Sequence, residues 1–368
     1  MSRRHLLKTL SALACISCAL GAEDARGQDR VAVLDSYATA APDQRVYAKH
    51  QADLWLDRAG LSRVAMRPRI DFLGTRSWGP GSALGLEPVF GPRANQPLRR
   101  FDVRRVLDVE GLFWQPQLEH GGERWGVRAG RLDGRFGVAW DRAPGISGID
   151  FAEDYGITDR SGAGGFIRVG NDRVGLHRLT AEVLSVEASF LSQSALNRRG
   201  PLLLADGGPG SGGSVQSLVL ALQSDALPGL PGLGYQLAFA RNQGEGGGRD
   251  ELGYAASLTY EVSLFAELGL ELLSEYVYRE NVHSEPGLCH DFTQGAALRW
   301  WGWNVSLAYS VREMRLYEGG GARDQLLQVS AGYAFGFGLG IELGWRFARE
   351  AGGESQGIGA MLTYEVEF

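Results

Sequence analysis

Through the second half of the chain, apolar and polar side chains alternate residue by residue, with short interruptions. Tyr254, Ala256, Leu258, Tyr260 and Val262 share one face of an extended chain, with Ser257, Thr259 and Glu261 on the other. Leu268, Leu270, Leu272, Tyr276 and Tyr278 oppose Glu267, Glu271 and Glu275, and Trp303, Val305, Leu307, Tyr309 and Val311 oppose Asn304, Ser306, Ser310 and Arg312. Leu339, Ile341, Leu343, Trp345 and Phe347 oppose Glu342 and Arg346. In the last dozen residues, Ile358, Ala360, Leu362, Tyr364, Val366 and Phe368 oppose Gly359, Thr363, Glu365 and Glu367. Successive side chains of a strand point to opposite faces, so this period predicts strands with one apolar and one polar face.

The links between these strands alternate in length. Those at 336–338, 301–302 and 263–265 are tight, whereas 350–356, 316–324, 281–289, 244–251 and 189–213 are longer and Gly-rich or charged. The link at 225–232 is long for its side. In the first half, strands are predicted near 46–57, 62–73, 104–118, 123–132, 163–170, 174–188, 214–224 and 233–243, with long segments at 74–100 and 133–162. A short strand at Val31 to Tyr37 brings the count to about 16, with 14 and 18 as the alternatives. A structureless segment of about thirty residues inside a compact domain is usually functional.

A strand with one face in oil and the other in water is the unit of a membrane-spanning β-barrel. Such a barrel must close, because lipid leaves no backbone group satisfied at an open edge. The fold class expected is therefore all-β, a transmembrane antiparallel up-and-down barrel over 46–368, preceded by an N-terminal segment 22–45. Arg3, Arg4 and Lys8 before an apolar stretch from Leu6 to Ala19 predict a cleaved signal peptide over 1–21, since a spanning helix takes about 20 apolar residues. Loss of these three cations moves the formal charge from −6 to −9. An acidic chain does not suit a nucleic-acid partner. Cys15 and Cys18 leave with the signal, and Cys289 alone remains, so no internal disulfide is expected.

With the apolar face turned to lipid, the opposite parity lines the interior. It places Arg63, Arg67, Arg69, Arg124 and Arg128 along one part of the bore and Glu261, Glu267, Glu271 and Glu275 along another. Opposed rows of charge would create a transverse field that favours polar solutes; the alternative is that these charges pair and brace the wall. The segment 133–162 mixes Trp, Tyr, Phe and charged residues. Folded into the mouth it would supply Arg135, Asp141, Arg142, Asp150, Glu153, Asp154 and Arg160 as a constriction; the alternative is a cap outside.

The signal segment, the alternating strands, the long first-half loop and the terminal Tyr364-Glu365-Val366-Glu367-Phe368 together resemble the Gram-negative outer-membrane porin superfamily, without matching one substrate-selective subfamily. The resemblance implies an outer-membrane location and a constriction loop. It also implies a last strand read by the barrel assembly machinery, with Tyr364, Val366 and Phe368 as the signal. The expected function is a channel for passive or weakly selective diffusion of small hydrophilic solutes, with outer-membrane lipid around it and a homo-oligomer compatible with it. No catalytic residue, metal or cofactor is expected. Rival readings are an outer-leaflet barrel enzyme, a phospholipase or protease, and a structural sheath around a periplasmic partner. Ser355 in Gly353-Glu354-Ser355-Gln356-Gly357 matches a nucleophile elbow, but without the strand and helix that the motif requires. His283, Cys289, His290 and Asp291 crowd one predicted loop with no ligand spacing.

Overall fold

The computed structural model describes residues 47–57, 60–67, 82–90, 107–120, 123–158, 160–171, 173–186, 217–224, 227–244, 248–265, 268–350 and 352–367; up to residue 124 the description covers the backbone. The segment 1–45, including Val31 to Tyr37, lies outside the described residues, as do Arg69, Asp71, Glu267 and Phe368.

The described residues form strands β1 (Tyr47–Asp57), β2 (Gly60–Arg67), β3 (Ser82–Phe90), β4 (Leu107–His120), β5 (Glu123–Leu132), β6 (Arg160–Asn171), β7 (Gly175–Val186) and β8 (Ser217–Ser224). They continue with β9 (Leu233–Asn242), β10 (Glu251–Phe265), β11 (Leu268–Glu280), β12 (Gly287–Trp300), β13 (Trp303–Leu316), β14 (Gly321–Ala334), β15 (Leu339–Glu350) and β16 (Gly353–Glu367). All join one antiparallel sheet in chain order from β3 to β16, and β16 pairs with β1, with Tyr47 opposite Glu367. β2 and β3 are the two ends of this order, and no pairing between them is among the described contacts.

Several expected boundaries shift. Segment 74–100 contains β3, which the sequence hides because Pro88 cannot donate to a ladder. The strand accepts it at a register shift between Glu87 and Pro88. β2 ends at Arg67, and β6 begins at Arg160, so the long loop closes before residue 160. Cys289, His290 and Asp291 lie on β12 rather than in a loop, and Ser355 lies on β16. Their polar side chains interrupt the apolar rhythm without breaking the backbone ladder.

The two faces of the sheet invert the usual order of a soluble protein. Leu179, Leu220, Leu237, Leu258, Leu272, Phe292, Leu307, Val329, Leu343 and Ile358 are exposed on one face. On the other, Glu182, Gln223, Ser257, Glu275, Asp291, Thr293, Ser306, Gln328 and Ser330 are buried. The outward apolar side chains on β13 run over nine residues, Trp303 to Val311, and those on β15 over nine, Leu339 to Phe347, exposed in the middle of each run and half-buried at Val311, Leu339 and Phe347. A tilted strand crosses a hydrocarbon core in about 9–11 residues.

Candidate functional site

What buries the polar face is the segment 133–158, a tongue that leaves the end of β5, runs over the inner face of β7 to β15 and returns to β6. Its base is closed by the Gly134 amide, which donates to the Ile157 carbonyl at 2.7 Å. Its apolar side chains, Phe136, Ala139, Ala143, Ala152, Tyr155 and Ile157, cluster with Leu184, Val219, Ala221, Ala238, Ala255, Leu273 and Val277 of the wall. Burial of each large apolar group contributes roughly 1.5–3 kcal/mol. Inward Leu273 and Val277 therefore have tongue, not water, over them.

Polar contacts follow the same path. The Arg135 amide donates to Glu182 Oε2 at 3.1 Å and its guanidinium to Gln223 Oε1 at 3.1 Å, while Arg128 pairs with Glu182. A one-turn helix, α1 (Ala139–Arg142), starts on Glu275. That carboxylate accepts the Val138 amide at 2.5 Å, the Ala139 amide at 3.2 Å, the Tyr155 hydroxyl at 2.5 Å and the Ser257 hydroxyl at 2.5 Å. One buried acid thus holds the outgoing and the returning limb together. Burial and the charge of Glu275 hold the Tyr155 phenol far above its ordinary range, so it stays a donor. Gly137 has φ +75°, and a Cβ there would lie 3.0 Å from Glu275 Oε1.

Towards its tip the tongue meets the far wall. Gln328 donates to the Pro144 carbonyl at 2.9 Å, and Arg346 pairs with Asp150 at 2.8 Å. Arg312 donates to the Phe151 carbonyl at 2.8 Å and pairs with Asp154 at 2.7 Å and Asp291 at 2.8 Å; Asp291 also holds Arg279 at 2.9 Å. Phe151 packs with Leu326 and Ala348. The wall makes room with glycines. A Cβ at Gly253 would lie 2.6 Å from the Phe136 ring, one at Gly295 2.4 Å from Pro144 Cδ, and one at Gly344 3.2 Å from Ile146.

The expected lining residues divide. Arg128 and Glu275 do not face open space; Glu182 and the tongue consume them, because a charge so deeply buried is tolerated only with a partner. Glu261 is exposed where β10 approaches the tight links, opposite Glu271, and Glu271 pairs with Arg299 at 2.6 Å. Arg63 and Arg67 lie on β2 and Arg124 on β5, where the backbone is described. Arg124, Arg168 and Arg178 are direct partners across β5, β6 and β7, and the Arg178 guanidinium stacks 4.0 Å from the Phe166 ring centre. Of the tongue residues, Arg135 is buried, Asp141 and Arg142 are half-buried on α1, Asp150 and Asp154 are paired, and Glu153 is exposed. Arg160 is the first residue of β6, and Tyr364 lies on β16, half-buried. The anchors Glu182, Arg279, Asp291 and Gln328 were not among the expected lining residues and carried no motif; strand parity is the one signal that could have found them. Ser355 and His177 lie on β16 and β7, and His177 bonds Tyr235 at 2.8 Å and the Val174 carbonyl at 2.9 Å. Among the described residues no three His, Cys, Asp or Glu side chains are placed to hold a metal.

No protein-family model matches the chain, and no curated protein matches it in sequence. Solved structures match over most of its length. Salmonella typhi OmpF in complex with daunomycin has 15% identity and TM-score 0.60, covering 88% of this chain and 98% of that one. The trimer form of in-vitro folded OmpT, an outer membrane protein of Vibrio cholerae, has 10% identity and TM-score 0.52, covering 88% and 100%. The outer membrane channel DcaP of Acinetobacter baumannii has 11% identity and TM-score 0.52, covering 88% and 96%. The likeness is one of fold: the chain has the fold of outer-membrane β-barrel proteins.

Proposed function

We propose that the sheet closes as a sixteen-stranded barrel in the outer membrane and acts, without catalysis, as a channel for passive diffusion of small hydrophilic solutes. The observation that supports this reading is the tongue, docked along the polar face, where in a closed barrel it would narrow the bore. Glu275, where it is fastened, lies seven residues from the start of β11, near mid-height. Glu153 and Asp154 are its exposed acids, and Arg168, half-buried on β6, lies on the polar face between its register partners Arg124 on β5 and the buried Arg178 on β7. A polar solute passing the tongue would meet both signs, and an apolar one would lose its way in a hydrated, charged passage. The likeness in fold to an outer membrane channel and to a protein in trimer form supports transport and a homo-oligomer. Export by residues 1–21 and insertion directed by Tyr364, Val366 and Phe368 belong to the same reading.

The test is swelling of liposomes that contain the refolded mature protein, in isotonic sugars of graded size. Small sugars should enter and larger ones should be excluded at a defined cutoff. Liposomes no more permeable than protein-free ones, with the barrel folded, would contradict the reading.

A further inference from the structure

Between the two margins of the sheet, the outward side chains of β10 to β13 are apolar or aromatic save in one register row. It runs Leu258 on β10, Ser274 on β11, Gln294 on β12 and Tyr309 on β13. Gln294 donates one N–H to Ser274 Oγ at 2.5 Å. Its second N–H and its carbonyl oxygen have no partner among the described residues. The parity of β12 turns Cys289, Asp291 and Thr293 inward and Gln294 outward, so the wall itself does not cover the amide.

Depth rules out the headgroups as well. Gln294 stands six residues from Trp300, which adjoins the tight link 301–302. At about 3.4 Å per residue and a tilt of about 40°, that is about 15 Å along the membrane normal, in an outward apolar band about 25 Å tall. The short carboxamide reaches neither surface. Lipid tails offer no hydrogen bond, and an amide left in hydrocarbon without one is costly. Whatever covers Gln294 at lower cost carries a donor and an acceptor at the same depth.

A carboxamide is its own complement, with N–H and C=O side by side. Two barrels inserted the same way round are related by an axis along the membrane normal, so each residue of one copy lies level with its equivalent in the other. Beside a twofold axis at β12, the two Gln294 side chains would face each other, each giving its spare N–H to the other's oxygen. Ala256 and Ala296, outward on either side of the row, keep the surface low enough for two walls to approach. Four strands about 4.8 Å apart, each outward over about nine residues, present roughly 600 Å². Two such faces exceed the roughly 1,000 Å² that a specific contact needs.

We propose that the outward face of β10 to β13, centred on Gln294, is the contact surface for a second copy of this chain across a twofold axis along the membrane normal. The contact rests on the membrane-inserted barrel proposed above and holds whether or not the bore conducts.

The experiment uses the mature protein with Cys289→Ser, folded into lipid vesicles, with Ala296→Cys or Leu179→Cys added and a lipid-soluble oxidant. Ala296→Cys should give a disulfide-linked dimer, and Leu179→Cys, exposed on the outward face of β7, should give none above random collision. Sedimentation equilibrium in density-matched micelles gives the second reading. Gln294→Leu should weaken the dimer at least tenfold, the equivalent of about 1.4 kcal/mol, with the circular dichroism of the sheet unchanged. A folded wild type that stays monomeric, its patch covered by lipid, would overturn the contact. So would equal cross-linking at the two positions, or an undiminished dimer in Gln294→Leu. Failure of the wild type to insert into vesicles at all would overturn the barrel reading and the contact with it.

Discussion

Gly295 sits inward on β12, beneath the bend of the tongue. Replacing it with Ala puts a Cβ 2.4 Å from Pro144 Cδ and 3.0 Å from Pro144 Cγ, about 1 Å short of ordinary contact. The proline ring cannot rotate away, and Gln328 bonded to its carbonyl holds it in place. In a strand without such a neighbour, Gly→Ala stabilises by about 0.4–1 kcal/mol through the unfolded chain. Overpacking costs about 1–3 kcal/mol, so the net expectation for Gly295→Ala is a loss of up to about 2.6 kcal/mol. Gly269, on β11, has open space where a Cβ would go, and Gly269→Ala should be neutral or stabilising. Equilibrium urea unfolding of both variants refolded into lipid vesicles gives the comparison, in which Gly295→Ala must be the less stable of the two. If Gly295→Ala were as stable as Gly269→Ala, the tongue would not be seated against this wall.

Other consequences are as direct. Glu275→Ala removes the acceptor of four hydrogen bonds and should cost about 3–5 kcal/mol; it should also make a cysteine placed at Ala152 in a Cys289→Ser background reactive to a water-soluble thiol reagent, whereas Ser217→Ala, which cuts only the bond to Asn242, should leave it protected. The Gly244 amide and Arg241 hold the Asp250 carboxyl below its ordinary range. Its contribution to ordering the 243–250 link is full above the unfolded value of about 3.9 and is lost as pH falls through the lowered folded value. The Gly244 amide shift should follow that titration in wild type and stay flat in Asp250→Asn. Leu307→Arg places a cation in the middle of the exposed apolar band and should cost about 2–4 kcal/mol in vesicles; a surface facing water would tolerate it within about 0.5 kcal/mol.

The strands from β10 to β15 were legible because each repeats a clean period of two, and their apolar faces are those found exposed. β3 was not, because Pro88, Gly85 and a register shift disguise it. The start of β12 read as a loop because Cys289, His290 and Asp291 look like a polar cluster, although parity places Cys289 and Asp291 inward and His290 outward. The charges of the candidate site could be assigned to a face but not to a partner. Glu275 meets Val138, 137 residues away, and Arg312 meets Phe151, 161 residues away. Such pairings depend on how the tongue folds back, which periodicity does not record. Nor does alternation distinguish an inward Leu273 that supports a loop from an outward one that meets lipid. The wall glycines Gly253, Gly295 and Gly344 carried a signal of a kind, since glycine inside a strand often marks the close approach of another segment.

In the proposed channel the tongue lies inside the bore and sets its width. Single-channel conductance in planar bilayers, compared between the wild type and a variant in which residues 138–154 are replaced by a short Gly-Ser linker, tests it most directly. The wild type should give discrete small steps and the variant several-fold larger ones. Equal steps from two folded proteins would contradict it.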